Sequence, residues 1–60
     1  MDTMQISQHA HALYRAHGDS AEAEAARKSR ESAARGDREG ADLWRAIRAS
    51  VRRIRGPLQK

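Results

Sequence analysis

Residues 36–57 read GDREGADLWRAIRASVRRIRGP and contain the clearest periodic pattern in the sequence. Large apolar residues recur there at intervals of three and four, namely Trp44, Ile47, Val51 and Ile54. This spacing places them on one face of an α-helix, as in the seam of a coiled coil. Leu43 widens that face on one side. The pattern therefore predicts a helix over residues 38–55 that packs its apolar face against another helix.

Arginines follow the same helical spacing beside the apolar face: Arg45, Arg48, Arg52 and Arg55. An α-helix turns by about 100° per residue, so these four side chains share an edge about 80° wide. Asp42 is the last acidic residue of the sequence, and no later acid can neutralise them locally. Guanidinium groups bind phosphates and carboxylates through a planar fork of donors. This edge is the candidate contact site for an anionic partner.

Two glycine–aspartate pairs, Gly18-Asp19 and Gly36-Asp37, divide the rest of the chain. Glycine can take the left-handed conformation that ends one helix, and aspartate can accept hydrogen bonds from the free N–H groups that begin the next. Glu22, three residues after Asp19, completes a capping-box pattern. Gly56 precedes a proline, which cannot continue a helix. The predicted helix caps are Gly18, Asp19, Gly36, Asp37 and Gly56.

These signals predict an all-α fold of three short helices, at about 3–17, 20–35 and 38–55, joined by Gly-Asp turns. The intervening stretches are rich in Ala, Arg and Glu, which favour helices. No segment shows the alternation of β-branched residues that is typical of a strand. We expect one helical domain over residues 1–60, in which 56–60 form a short C-terminal tail.

The predicted core contains few large side chains. One face of the first helix carries Ile6, Ala10, Leu13, Tyr14 and His17. The second helix has no large apolar residue, and its inward candidates are Ala21, Ala25, Ser29 or Ser32, and Ala33. The candidate core and interface residues are Ile6, Leu13, Tyr14, Leu43, Trp44, Ile47, Val51 and Ile54. Trp44 is expected to be buried as the largest of them.

The small core favours self-association. A chain of this length buries only about 60% of the surface that its unfolded form exposes. Alanine makes up much of the 38% hydrophobic content, and there is no cysteine to form a disulfide. Small domains usually need a disulfide or a comparable cross-link to be stable. We therefore expect homo-oligomerisation to complete the helical bundle, which predicts a protein–protein interaction or assembly module.

The sequence offers no pattern for catalysis, a metal or a cofactor. Without cysteine, thiol chemistry and thiolate zinc sites are excluded. His9, His11 and His17 do not share the i, i+4 spacing of a ligand pair on one helix face. No nucleophile–base arrangement or phosphate-binding glycine loop is present. We expect no enzymatic activity.

The net charge of +4 lies in the C-terminal part of the chain. Residues 1–36 carry five basic and five acidic side chains, whereas residues 37–60 carry seven basic and three acidic ones. The arginine edge either contacts nucleic-acid phosphates or pairs with acids of the second helix, and the sequence leaves both alternatives open. Those acids are Glu22, Glu24 and Glu31. Binding to a membrane surface is disfavoured, because folding needs the apolar face of the last helix.

Nothing at the N-terminus has the basic and apolar regions of a secretory signal, and no apolar run approaches the length of a membrane span. We expect a cytoplasmic protein. Residues 13–19 (LYRAHGD), 21–26 (AEAEAA), 44–48 (WRAIR) and 55–57 (RGP) resemble a group of short bacterial helical proteins of unknown function. The resemblance covers nearly the whole chain. It implies a complete protein rather than a fragment, and it implies no activity or site.

Overall fold

The computed structural model describes residues 3–56. Helix α1 comprises Thr3–His17, α2 comprises Ala21–Ala34 and α3 comprises Arg38–Arg55. Residues 3–56 contain no strand, so the predicted all-α class is confirmed. Of the predicted tail, residues 56–60, only Gly56 belongs to the described residues. None of the described helices is long and apolar enough to cross a membrane.

The prediction of three separate helices is wrong at the first junction. A 3-10 turn, Gly18–Ser20, joins α1 directly to α2, so no loop separates the two, although Gly18 has a φ of +61° at the junction. The described chain therefore consists of two continuous helical segments, 3–34 and 38–55. The Ala21 N–H donates to the Gly18 carbonyl, which keeps the turn helical. The α2 portion also begins one residue later and ends one residue earlier than predicted.

The two Gly-Asp pairs behave differently as caps. At the second pair the chain leaves the helical conformation, and the Gly40 N–H donates to Asp37 Oδ1 at 2.9 Å, which confirms Asp37 as the N-cap of α3. Gly36 has a φ of +78°, a value that other residues rarely adopt. Gly18 and Gly56 also follow helix ends with positive φ, as predicted.

Asp19 is not a helix cap, and the predicted capping box does not form. Ser20 occupies the N-cap position of α2 and makes no side-chain capping bond. Its hydroxyl instead donates to the His17 carbonyl at 2.8 Å. Because the 3-10 turn leads straight into α2, there is no loop from which Asp19 can cap the helix. The Glu22 side chain turns towards α3 instead.

Small residues form most of the fully buried core. The buried side chains are Ala10, Ala21, Ala25, Ser29, Ser32, Ala41, Ile47 and Val51. Because α2 contributes only alanine and serine, α3 can pack closely against it, and Ser29 Oγ donates to the Ala41 carbonyl at 3.3 Å. Ala33 and His17, both predicted to face inwards, are exposed. Ile47 and Val51 are the only large side chains in the described residues that are fully buried.

The remaining candidate core residues pack against this core and keep partial contact with solvent. They are Ile6, Leu13, Tyr14, Leu43, Trp44 and Ile54. Trp44 is thus half-buried, where the sequence predicts full burial. The reason is that α2 offers no large side chain with which to enclose the indole ring.

Candidate functional site

Three of the four predicted arginines converge on one carboxylate between α2 and α3. Arg55 Nη1 donates to Glu22 Oε1 at 2.8 Å. The Nε atoms of Arg48 and Arg52 lie 3.5 and 3.4 Å from Glu22 Oε2. Only 19% of the Glu22 side chain is exposed. We call Glu22, Arg48, Arg52 and Arg55 the Glu22 cluster.

The Glu22 cluster is not electrically neutral. Three guanidinium charges face a single carboxylate, which leaves a net charge of +2. Within the described residues, Arg55 Nε is buried and has no hydrogen-bond partner. Buried donors are usually satisfied, so this unbonded N–H group is an unfavourable feature of the α2–α3 packing. The pairing predicted with the second helix therefore occurs, but it compensates only part of the arginine charge.

Arg45 stands apart from the Glu22 cluster. It donates to Asp42 at 2.8 Å, and both side chains are largely exposed. An exposed pair three residues apart on one helix contributes little to stability. Asp42, one turn before the arginine edge, thus pairs with the arginine nearest to it.

Glu24 and Glu31 do not pair with α3. Both accept hydrogen bonds from Arg27, one turn away on the same helix. Their pairing with the arginine edge was one of the alternatives left open by the sequence. Both glutamates pair with Arg27 because residues three and four apart on a helix lie next to each other on its surface. Of the three acids considered, only Glu22 contacts α3.

A continuous groove runs beside the Glu22 cluster between α2 and α3. It consists of two open clefts of about 280 and 240 Å³ that share Ala26 and Arg48. Alanines of α2 form its floor, and arginines of both helices stand along its sides. Its lining residues include Ala23, Ala26, Ala33, Arg30, Arg45, Arg48 and Arg55. We call this feature the arginine groove.

Trp44 lies where the three helices meet. The His9 ring of α1 is 5.2 Å from the indole ring, centroid to centroid, and is tilted by 57°. Lys28 Nζ of α2 lies 5.5 Å from the indole centroid, a distance suited to a cation–π interaction. Neither contact could be predicted from the sequence, because neither partner lies near Trp44 in the chain. These contacts cover part of a ring that the small core leaves accessible.

The histidines form no metal site in the structure. His9, His11 and His17 are all exposed. Within residues 3–56, no group of three or more histidine or acidic side chains is arranged to hold a metal ion.

The pKa of Glu24 is lowered from its ordinary value of 4.5, chiefly by the hydrogen bond from Arg27. A lowered folded-state pKa means that this pair stabilises the fold above about pH 4.5, the unfolded value. The stabilisation is lost as the pH falls through the lowered pKa.

We predict that Arg27→Gln raises the pKa of Glu24 towards its ordinary value. Carboxyl NMR titration measures this change. Arg30→Gln, at another exposed position of α2, is the control and should leave Glu24 unaffected. Identical titration of Glu24 in wild type and Arg27→Gln would contradict the assignment.

The chain matches no family model, no curated protein and no solved structure. The resemblance to a group of short bacterial helical proteins therefore stays a prediction.

Proposed function

We propose that this protein is a non-catalytic helical assembly module that associates with copies of itself. The main support for the proposal is that the core buries few large side chains completely. Among the described residues only Ile47 and Val51 are large and fully buried, while six other large apolar residues of the core remain partly exposed. Burial of apolar surface is the main favourable term in both folding and association. A second copy would supply the apolar contacts that α2 lacks.

The face that we propose for self-association lies on α1 and α3. At about 100° per residue, Leu43 and Ile54 fall within about 20° of each other, on the flank of the buried residues away from the arginine edge. The half-buried residues of α1, namely Ile6, Leu13 and Tyr14, pack against the same core. Self-association through this face would leave the arginine groove free.

A non-catalytic role is supported by the chemistry of the polar groups. The serine hydroxyls with assigned hydrogen bonds, Ser20 and Ser29, donate to backbone carbonyls rather than to a general base. The clefts are lined mainly by alanine and arginine. We also propose a cytoplasmic location, because small proteins of oxidising compartments are usually held together by disulfides and this chain has no cysteine.

Sedimentation tests self-association. We expect wild-type protein at micromolar concentration to sediment as a dimer or larger species, and the double variant Leu43→Gln/Ile54→Gln to shift towards the monomer. The expected reason is that glutamine places an amide in the apolar interface, where it loses its hydrogen bonds to water. Ala49→Gln, at an exposed position of α3, is the matched control and should leave the assembly unchanged.

Circular dichroism of each variant separates dissociation from unfolding. A wild-type protein that is fully folded and strictly monomeric over the concentration range would overturn the proposal. Equal loss of assembly in Ala49→Gln would also count against the proposed face.

A further inference from the structure

We infer that the arginine groove binds the phosphate backbone of double-stranded DNA without regard to base sequence. This inference does not depend on self-association, because the groove and the proposed apolar face lie on different sides of α3. It rests on the net positive charge of the residues that line the groove, on the shape of the groove and on the residues that the groove lacks.

The charge of the groove suits a polyanion. Four arginines line the groove, Arg30, Arg45, Arg48 and Arg55, and two acids, Asp19 and Glu22, line it as well, which leaves a net charge of +2. Bound phosphates neutralise such charges and release the counterions of DNA, which supplies most of the free energy of sequence-independent binding.

The length and depth of the groove suit a row of phosphates. Arg45 and Arg55 are ten residues apart on α3, or about 15 Å along the helix axis. Successive phosphates of one DNA strand rise by about 3.4 Å and lie farther apart than that along the winding strand, so this edge faces a short run of phosphates. The alanine floor, with Ala23, Ala26 and Ala33, leaves open space between the arginine side chains. A phosphate can therefore approach the guanidinium forks without displacing a large side chain.

The lining of the groove disfavours other anionic partners. Proteins that bind single strands stack bases on aromatic side chains, and no aromatic residue lines the groove. Trp44 contacts His9 and Lys28 instead. An acidic protein partner would need a pocket for an apolar anchor, but the apolar lining consists of alanine. A membrane surface would need large apolar side chains beside the basic ones for insertion, and alanine is the only apolar residue type that lines the groove. Duplex phosphates fit best.

The experiment is fluorescence anisotropy of a labelled mixed-sequence DNA duplex, titrated with the full chain from about 50 mM salt upwards, because backbone contacts are strongest at low salt. We expect binding whose logarithmic affinity falls linearly with log salt, at about −0.9 per phosphate neutralised. Arg45→Gln/Arg48→Gln removes two arginines that line the groove and should flatten that slope by about 1.8, or about 0.9 for each phosphate no longer neutralised. The matched control, Arg15→Gln/Arg53→Gln, removes two exposed arginines that do not line the groove and should change the slope less.

Glu22→Gln should change the DNA affinity in the opposite direction from the arginine variants. It removes the internal counter-charge and keeps the size of the side chain, so DNA affinity should rise while the protein loses stability. Circular dichroism at the titration temperature checks that each variant is folded. Vesicles containing phosphatidylserine and polyglutamate serve as competing anions.

Several results would overturn the inference. The first is that the wild type fails to bind the duplex at about 50 mM salt. The second is that the groove and control double variants show the same slope of log affinity against log salt. The third is that folded Glu22→Gln binds DNA more weakly than the wild type. Competition by polyglutamate or vesicles at lower charge concentration than unlabelled duplex would also overturn it, and would point to an acidic protein or a lipid surface.

Discussion

Replacing Ile47 by alanine should lower the free energy of unfolding by about 2–5 kcal/mol, the range for truncating a buried isoleucine. Ile47 is fully buried and has only Val51 as a comparably buried large neighbour, so few side chains can move to fill the cavity. Stability scales at about 0.05–0.15 kcal/mol per residue, which suggests about 3–9 kcal/mol for a chain of this length. The loss should therefore remove a large fraction of that stability. Urea denaturation followed by far-ultraviolet circular dichroism measures it.

Arg53→Ala is the control for Ile47→Ala, because Arg53 lies on the same helix, is exposed and is not part of the proposed self-association face. Its loss should be clearly smaller. Both variants and the wild type must be compared at one protein concentration, since self-association would make apparent stability depend on concentration. A loss within about 0.5 kcal/mol for Ile47→Ala, as at surface positions, would contradict the described core.

Glu22→Gln should lower the free energy of unfolding by about 1.5–3 kcal/mol, the range for hydrogen bonds to charged groups. The carboxylate is mostly shielded from solvent and serves three guanidinium groups at once. Without its charge, Arg48, Arg52 and Arg55 repel one another along the edge of α3 that faces Glu22. Added salt should recover part of the loss, because screening weakens that repulsion. Thermal and urea denaturation at low and high salt measure both effects.

Glu31→Gln is the matched control for Glu22→Gln. Its carboxylate pairs with Arg27 on the surface, and half of its side chain is exposed. Exposed pairs contribute about 0–1 kcal/mol, so Glu31→Gln should be close to neutral. A double-mutant cycle between Glu22→Gln and Arg55→Gln isolates the strongest contact of the cluster, which should show a coupling of at least about 0.5 kcal/mol. Equal losses in the two glutamate variants would show that the Glu22 cluster does not stabilise the fold.

The sequence by itself determined the features that depend on near neighbours in the chain. Apolar spacing located α3 and predicted the burial of Ile47 and Val51, because residues three and four apart share a helix face. The pair Gly36-Asp37 predicted the start of α3, because a capping side chain acts only on N–H groups two or three residues away. The all-α class is a consequence of the same local signals.

The first Gly-Asp pair shows where local signals end. Gly18-Asp19 has the same chemistry as Gly36-Asp37, yet a 3-10 turn at the first pair leads directly into α2, whereas the second pair lies between two separate helices. The two junctions differ in their tertiary contacts, since Glu22, just after the first pair, contacts α3 rather than capping its own helix. A motif that allows a break does not force one.

Only the tertiary structure decided how the arginine charge is compensated and how far Trp44 is covered. Glu22 and Arg55 are 33 residues apart, and their contact depends on the antiparallel packing of α2 against α3. The sequence offered three glutamates as partners, and the fold selected one, because the other two face Arg27 on the outside of α2. Trp44 remains half-buried because the alanine and serine face of α2 lets α3 approach closely but cannot enclose an indole ring. Helix periodicity determines which residues share a face, whereas the distance and rotation between packed helices determine which faces meet.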